Sequence, residues 1–182
     1  MKFSELGLAN AFSIETKPLS DSRGYFNRVF CAEEFSKYNL PTFWPQCNNS
    51  FTRCAGTIRG LHFQFAPEEE TKLIKCTNGV VFDVIVDLRA GSPTFGNWHA
   101  EKLDSAKHNM ICIPGGFAHG FQALTANAEM LYFHSSPYQP EYEGGVRWDD
   151  KSLNIKWPLA LTKISDRDAK LPFLSQLKQT KK

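Results

Sequence analysis

The sequence lacks an excess of charge of either sign. Its 21 Lys and Arg side chains nearly balance 19 Asp and Glu side chains, so the 182 residues carry a formal net charge of +2. Such a surface creates no long-range field that would attract nucleic acid or an anionic membrane. We therefore expect neither nucleic acid nor a membrane as a partner, and any bound anion must be held by a local group of cations.

Signals for export, membrane insertion or cross-linking are also missing. The start, MKFSELGLANAF, has Glu5 where a signal peptide would be apolar. A long stretch without charged residues, 109–128, contains Pro114 and several glycines, which is not typical of a spanning helix. The five cysteines are an odd number without CxxC spacing, which favours neither a disulfide framework nor a structural zinc site. We expect a reduced, cytoplasmic protein.

Aromatic residues, by contrast, are abundant. They make up 13 % of the chain, with 15 Phe and 4 Trp, and they accompany 12 Gly and 10 Pro. This composition is typical of many short strands joined by tight turns. In the first half of the chain, the one good amphipathic helix pattern covers residues 32–38. Strands are predicted over residues 12–16, 25–30, 50–52, 57–64, 72–77, 80–88, 98–103, 110–113, 120–124 and 129–134.

This spacing of strands predicts an all-β sandwich or barrel. We expect one domain over residues 1–182, with a core over about residues 12–172, a short helix near residues 173–178 and a frayed tail over 173–182. Asn78-Gly79 is a sequence that favours a two-residue hairpin between the flanking strands. In the strand that follows, Asp83 and Asp87 lie on an otherwise apolar face, so their carboxylates need partners or water.

Polar residues inside strand-like segments are the candidates for chemistry. Strict alternation places His62 and Arg59 on opposite faces of one strand, and a bulge at Gly60 would bring them together. Taken singly, His62 is equally compatible with a structural role. Lys72 stands at a strand end, where lysines ordinarily extend into water, and a tyrosine such as Tyr132 is commonplace in a strand.

A metal site is poorly supported by the sequence. The segment His62-Phe63-Gln64 has glutamine where a metal-binding barrel would have a second histidine, and residues 68–70, a run of three glutamates, are interpreted as a solvated loop. Only His62 and His119 then remain as ligands, whereas a catalytic zinc or iron site needs three. The motifs GxGxxG, GxxxxGK[ST] and GxSxG are also absent. We expect no metal.

Several motifs together resemble the dTDP-4-dehydrorhamnose 3,5-epimerase family, in the family's order and approximate spacing, from about residue 12 to residue 172. They are Asp-Ser-Arg-Gly-Tyr-Phe at 21–26, Arg-Gly-Leu-His-Phe-Gln at 59–64, Lys-Leu at 72–73, Phe-Asp-Val at 82–84, Val-Asp-Leu-Arg at 86–89, Gly-Ser-Pro-Thr-Phe-Gly at 91–96, Ile-Pro at 113–114, Gly-Phe-Ala-His-Gly-Phe at 116–121, Trp-Asp-Asp at 148–150, and Ile-Ser at 164–165 with Asp168. The resemblance implies a cupin-type jelly-roll barrel with short peripheral helices, no cofactor and a homodimer. It also implies inversion of carbon centres next to the ketone of a nucleotide-linked 4-keto-6-deoxy sugar.

The resemblance assigns roles to individual residues. It implies that His62 is the base and is oriented by Asp168, that Lys72 stabilises the enolate and that Tyr132 returns the proton. Asp83 is the implied partner of a histidine that lines the pocket. Substrate binding is implied for Arg23, Phe26, Gln46, Asn48, Arg59, His119, Tyr138, Glu143 and Arg167.

The sequence departs from the family pattern around the implied nucleotide site. Arg28 stands where a glutamate is usual, Cys47 where an aspartate is common, and Arg167 where the family has a lysine. The segment 46–59 is also one residue longer. The identity of the nucleotide and the choice between C3, C5 and double epimerisation therefore stay open. A keto-isomerase on the same barrel and a non-catalytic sugar-nucleotide-binding protein are the alternatives.

Overall fold

The computed structural model describes residues 1–177, and almost all regular structure in them is strand. The strands are β1 (Lys2–Glu5), β2 (Phe12–Glu15), β3 (Leu19–Asp21), β4 (Gly24–Phe26), β5 (Gln46–Thr52), β6 (Ile58–Gln64), β7 (Lys72–Asn78), β8 (Val80–Asp87), β9 (Trp98–Asp104), β10 (Asn109–Ile113), β11 (Phe117–Ala123), β12 (Ala128–His134) and β13 (Glu143–Gly145). The helices are α1 (Ala32–Ser36), α2 (Asp166–Ala169) and two 3-10 helices, Pro140–Tyr142 and Leu174–Gln176.

Two antiparallel sheets face each other. One has six strands in the order β1-β2-β10-β7-β12-β5, and the other has five in the order β13-β6-β11-β8-β9. Neighbouring strands come from distant parts of the chain, which is characteristic of a jelly roll. The predicted all-β, cupin-type jelly-roll barrel with short peripheral helices is confirmed.

Strand β8 illustrates why both faces of the five-stranded sheet are apolar. Val81 and Ile85 join the core cluster between the two sheets, whereas Val84 and Val86 join a second cluster on the opposite face. Each alternating row is thus buried by a different neighbour. Asp83 shares the inner row with Val81 and Ile85, and it is fully buried. Because it is buried, this carboxylate needs a partner, as the sequence predicts.

The predicted hairpin at Asn78-Gly79 is wrong. Gly79 has the left-handed φ of +76° that such a turn favours, yet β7 pairs with β10 and β12, whereas β8 pairs with β11 and β9. The turn therefore carries the chain from one sheet to the other. The turn residues thus adopt the conformation that the sequence predicts. Which strands pair is determined by contacts elsewhere in the barrel.

Other expected elements differ in length. The strand predicted over residues 25–30 ends at Phe26. There the chain leaves the small two-stranded sheet that β3 and β4 form by themselves. The strand predicted over 50–52 begins at Gln46, because β12 pairs with β5 along its whole length. The helix predicted over 32–38 spans Ala32–Ser36. Part of the helix and tail expected over 173–182 lies outside the described residues. No helix within residues 1–177 is long and apolar enough to cross a membrane.

The segment after β13 returns to the mouth of the barrel. Thr57 and Lys163 form a short parallel bridge, and Ile58 N donates to Lys163 O at 3.0 Å. Helix α2 follows directly, and the hydroxyl of its N-cap residue Ser165 accepts from Asp168 N at 3.1 Å. The bridge and the cap together place Asp168, which is 3 % exposed, beside β6.

Candidate active site

A pocket of about 860 Å³ opens between the two sheets at the end where the returning segment lies. Both sheets and the returning segment contribute polar side chains. The lining includes Asn48, Ser50, Lys72, Tyr132 and His134 from the six-stranded sheet, Arg59, His62, His119 and Glu143 from the five-stranded sheet, and Glu70, Tyr138, Ser165, Arg167 and Asp168 from adjoining segments. Cations, imidazoles and carboxylates thus converge in one concave site on a nearly neutral protein.

A bulge at Gly60 brings Arg59 and His62 to the same side of β6. His62 lies opposite His119 on β11, and Arg59 lies opposite Phe121, so three steps along β6 match two steps along β11. Gly60 has a φ of +102°, and a Cβ there would lie 2.6 Å from His119 O. Only glycine fits this close approach of the two backbones. The predicted kink at Gly60 is confirmed.

The imidazole of His62 is held by Asp168. His62 Nε2 lies 2.9 Å from Asp168 Oδ1, and Gly60 N donates to Asp168 Oδ2 at 2.9 Å. Burial alone would raise the pKa of Asp168, but the contacts with His62 and Gly60 hold that pKa far below its ordinary value. The group is therefore a carboxylate that fixes one ring nitrogen of His62 and leaves the other for the pocket.

Lys72 lies on the facing sheet at the start of β7. Its ammonium is 2.9 Å from Glu70 Oε1 and donates to the backbone oxygen of His62 at 3.4 Å. The side chain is only 8 % exposed. The expectation that a lysine at a strand end extends into water does not hold here, because a buried carboxylate and the pocket wall take the place of solvent.

His119 and Asp83 form a second histidine–carboxylate pair deeper in the barrel. His119 Nε2 lies 2.8 Å from Asp83 Oδ2. Burial raises the pKa of Asp83, while the charge and hydrogen bond of His119 act in the opposite direction. Asp83 does not itself line the pocket. It is instead the buried support of a histidine that does.

Tyr132 presents its hydroxyl to the pocket from β12. The hydroxyl is 3.2 Å from Ser50 Oγ on the neighbouring strand β5, and the ring packs against His119 with centroids 6.1 Å apart. Burial raises the pKa of Tyr132 well above its ordinary value. The phenol therefore keeps its proton over the whole neutral pH range.

Charged and polar groups for ligand recognition surround the mouth of the pocket. Arg59 donates to Thr52 Oγ1 at 3.1 Å and to the backbone oxygen of Phe51 at 3.0 Å, which orients the guanidinium. Arg167 lies 3.2 Å from both carboxylate oxygens of Glu143. Tyr138 donates its hydroxyl to Glu143 at 3.1 Å. Together with Asn48, five of the sequence-predicted binding residues therefore line this part of the pocket.

Three of the predicted binding residues do not line the pocket of their own chain. Gln46 accepts from the backbone nitrogen of Tyr138 at 2.9 Å and so supports the rim. Arg23 and Phe26 lie on the exposed hairpin of β3 and β4. The Phe26 side chain is 74 % exposed, and Arg23 is paired with Asp21 at 2.6 Å.

Two of the departures from the family pattern lie outside the pocket. Arg28 pairs with Glu34 at 3.2 Å, and Cys47 is an exposed residue on β5. The third, Arg167, lines the pocket and approaches His62 Nε2 at 3.2 Å. All five cysteines are free thiols.

Sequence reasoning missed Ser50 and Glu70, and it placed His134 on one strand face with Tyr132 without assigning it a role. The interpretation of residues 68–70 as a solvated loop is wrong for Glu70, which is 8 % exposed and is paired with Lys72. The spacing of two residues between Glu70 and Lys72 in an extended segment is the signal that would have placed both on one face. The same alternation along β5 and β12 relates Ser50 to Asn48, and His134 to Tyr132.

Metal-ligating side chains in the described part of the chain are not gathered into a metal-binding group. Within residues 1–177, no cluster of three or more His, Cys, Asp or Glu side chains has the geometry to hold a metal ion. The histidines of the pocket are instead paired one by one with carboxylates.

Comparison with known proteins gives one consistent result. The model of the dTDP-4-dehydrorhamnose 3,5-epimerase family matches residues 5–176. A dTDP-4-dehydrorhamnose 3,5-epimerase of Sinorhizobium fredii is 39 % identical over 178 residues, which are 97 % of this chain and 91 % of the relative.

Solved structures agree with the sequence match. The dTDP-6-deoxy-D-glucose-3,5-epimerase of Legionella pneumophila, in complex with dTDP-4-keto-L-rhamnose, has a TM-score of 0.92 and 35 % identity, over 97 % of this chain and 94 % of that one. A 3'-monoepimerase of Streptomyces bikiniensis, in complex with dTDP-quinovose, has a TM-score of 0.88 and 33 % identity, over 93 % of this chain and 86 % of that one. The family match over nearly the whole chain, together with this shared fold, shows that the chain belongs to the dTDP-4-dehydrorhamnose 3,5-epimerase family.

Proposed function

We propose that this protein inverts C3, C5 or both in a dTDP-linked 4-keto-6-deoxy sugar, without a metal or an organic cofactor. The observation that supports this most directly is the placement of His62, with its partner Asp168, on one sheet and Tyr132 on the facing sheet of the same pocket. Epimerisation next to a ketone needs a base on one face of the ring and a proton donor on the other.

His62 is the proposed base. Asp168 engages one ring nitrogen and leaves the other unprotonated and available to the sugar carbon. After proton removal the imidazolium lies beside a carboxylate, which stabilises the charged form. Arg167 next to this pair is neutralised in part by Glu143, so it does not cancel the effect of Asp168.

Lys72 is the proposed cation for the enolate. Removal of a proton α to the ketone moves negative charge onto the C4 oxygen, and a fixed ammonium stabilises that charge most when water is excluded. Lys72 lies at the buried wall of the pocket, on the sheet opposite His62. Its compact ammonium is suited to a single oxygen, whereas the planar guanidinium of an arginine is suited to two.

Tyr132 is the proposed proton donor. Its raised pKa keeps the phenol protonated until the carbanion forms, and Ser50 can share the proton through the hydrogen bond between the two hydroxyls. Delivery from the face opposite His62 inverts the carbon. Return of the proton by His62 would restore the original configuration.

The rim of the pocket fits the nucleotide diphosphate. Arg59 is held by Thr52 and by the Phe51 carbonyl with its guanidinium at the mouth, and guanidinium groups bind phosphate oxygens strongly. The aromatic ring of Tyr138 stands at the same rim and is 47 % exposed. The dTDP ligands of the solved relatives from Legionella and Streptomyces support dTDP as the nucleotide.

We further propose a homodimer in which the hairpin of β3 and β4 reaches the pocket of the second copy. The resemblance assigns substrate binding to Arg23 and Phe26, yet neither lines the pocket of its own chain. Their exposure is what an arm that completes a neighbouring site would show. The organisation as one domain and the cytoplasmic location stay predictions from the sequence.

Solvent-exchange measurements test the proposed function. The purified protein is incubated in D₂O with dTDP-, CDP-, UDP- and GDP-linked 4-keto-6-deoxyglucose, and NMR follows deuterium at C3 and C5. We expect exchange and inversion with the dTDP sugar, no exchange with His62→Ala, and retained exchange with impaired inversion for Tyr132→Phe. Binding without exchange would indicate a non-catalytic protein, and a 3-keto product would indicate a keto-isomerase.

A further inference from the structure

Glu70 is a buried carboxylate in the pocket wall to which no role has been assigned. It is 8 % exposed and lies just before β7. Burial alone would raise the pKa of Glu70, but His134 and Lys72 stabilise the charged form and hold that pKa below its ordinary value. A charged group in such a position needs close partners, because burying an unpaired carboxylate is costly.

The first partner is the ammonium of Lys72. An ammonium has three N–H donors. One points to Glu70 Oε1 at 2.9 Å and a second to the His62 carbonyl at 3.4 Å. In the part of the chain that the structure describes, these acceptors leave one N–H for the interior of the pocket. Glu70 therefore fixes the direction in which Lys72 presents its charge.

The second partner is His134 on β12. Its Nδ1 lies 3.7 Å from Glu70 Oε2, and its residue position is directly opposite Lys72 in the strand register. The His134 ring is nearly parallel to the ring of Tyr132, with an angle of 21° and centroids 6.2 Å apart. His134 Nε2 lies 3.4 Å from the Asn48 side-chain nitrogen on β5. His134 thus links the carboxylate that holds Lys72 to the ring of Tyr132.

We propose that Glu70 and His134 act as a positioning pair that fixes the Lys72 ammonium and the Tyr132 hydroxyl relative to each other. This inference rests on the proposed function, in which Lys72 stabilises the enolate and Tyr132 returns the proton. Both groups must meet the same sugar ring at the same moment. A link through Glu70 and His134 restricts their separation, because Glu70 is buried and paired with Lys72 at 2.9 Å, and the His134 ring stacks on the ring of Tyr132.

Kinetics of four variants test the pair. We expect Glu70→Gln and His134→Ala each to lower kcat for the dTDP sugar about 10-fold while KM changes less than about twofold, since misplaced reacting groups affect the transition state more than binding. His134→Asn can place an amide near the position of Nδ1, so it should recover much of the loss. The double variant Glu70→Gln/His134→Ala should be no slower than the slower single variant, because residues that act as a unit are not additive.

Glu69→Gln is the matched control, because it removes a neighbouring but exposed carboxylate and should leave kcat and KM unchanged. If the losses of kcat in Glu70→Gln and His134→Ala multiply in the double variant, the two residues act independently and the proposed pair is overturned. A raised KM with unchanged kcat in the single variants would also overturn it. Failure of His134→Asn to recover activity would count against it too. If Glu70→Gln does not fold, the comparison of His134→Ala with His134→Asn decides.

A crystal structure of His134→Ala gives a readout that does not depend on catalysis. We expect Lys72 Nζ or the Tyr132 hydroxyl to move by about 1 Å, a displacement large enough to slow a reaction strongly. Unchanged positions would overturn the positioning pair whatever the activity. If wild-type protein exchanges no deuterium, the proposed function fails, and the crystal structure still decides whether the link exists.

Discussion

His62 and Asp168 are 106 residues apart in the sequence, and their side chains meet at 2.9 Å on the pocket wall. The second oxygen of the same carboxylate accepts from Gly60 N, at the bulge that turns His62 toward the pocket. One carboxylate therefore holds both the imidazole and the backbone kink beneath it. This arrangement makes the returning C-terminal segment a part of the site, although it belongs to neither sheet.

Asp168→Asn should slow deuterium exchange sharply. An amide can still occupy the position, but it lacks the charge that fixes the His62 tautomer and stabilises the imidazolium, and such a change costs up to about 10⁴-fold in related histidine–aspartate arrangements. Asp166→Asn, on the exposed side of the same helix α2, is the matched control and should exchange at the wild-type rate. Equal rates for wild type and Asp168→Asn would remove Asp168 from the mechanism.

Gly60→Ala should disrupt the site through the backbone. A Cβ at Gly60 would lie 2.6 Å from His119 O and 2.7 Å from Gly120 Cα, and neither backbone atom can move aside cheaply. Gly91→Ala is the control, because Gly91 also has a positive φ, of +76°, but nothing lies within 4 Å of its Cβ position. We expect a much larger fall in Tm for Gly60→Ala than for Gly91→Ala, with loss of exchange only in the former. Similar Tm values would mean that the strained φ alone, and not the close approach, makes glycine necessary.

Asp87 should contribute stability that depends on pH. Its carboxylate is fully buried and accepts from Arg89, Ser92 and Thr94. Burial opposes the charge, but these contacts hold the pKa of Asp87 far below its ordinary value. Because the folded pKa is depressed, the contribution is complete above the unfolded pKa of about 3.9 and disappears as the pH falls toward the folded value.

Urea unfolding of Asp87→Asn measures this contribution. At pH 7 we expect the free energy of unfolding to fall by about 2 kcal/mol, since a buried charged hydrogen-bond network is lost. The difference from wild type should shrink as the pH falls below about 4. Asp21→Asn is a matched control, because Asp21 pairs with Arg23 at the same sequence spacing but on the surface, and it should cause no measurable change. A difference that stays constant down to pH 2 would contradict the assigned cause.

Much of the barrel could be predicted because alternation is a local property. Strand β8 reads as two apolar rows in the sequence, and each row is buried by its own cluster in the structure. Gly60, which lies between Arg59 and His62, likewise predicts the bulge, because glycine adopts a positive φ without a distant partner. The family resemblance then identified the residues that meet in the pocket, which alternation alone could not bring together.

Features that depend on distant partners were not predictable in this way. Asn78-Gly79 has the right residues for a hairpin, but β7 and β8 pair with strands far along the chain. Glu70 looks like one of three solvated glutamates, but it is buried and faces His134, which is 64 residues later in the sequence. Charge patterns report the local composition, whereas the cost of burying a charge is decided by the groups that surround it.

Complementation between two inactive variants should show which copy the hairpin of β3 and β4 serves. His62→Ala removes the base, and Arg23→Ala removes the substrate-binding guanidinium that the resemblance assigns to the arm. If the arm completes the pocket of the second copy, a mixed dimer has one site with an intact His62 from one chain and an intact Arg23 from the other. Co-expression with two different affinity tags yields this mixed dimer, and its exchange rate is compared with that of each parent.

We expect the mixed dimer to recover up to about half of the wild-type rate at low substrate concentration, because one of two independent sites is restored. Arg147→Ala in place of Arg23→Ala is the control. Arg147 also pairs with an aspartate two residues away, at 2.8 Å, but it does not line the pocket, so that variant should be active without mixing. A mixed dimer as inactive as its parents would mean that each arm folds back onto its own chain's site. A monomeric protein in solution would exclude the proposed exchange of arms altogether.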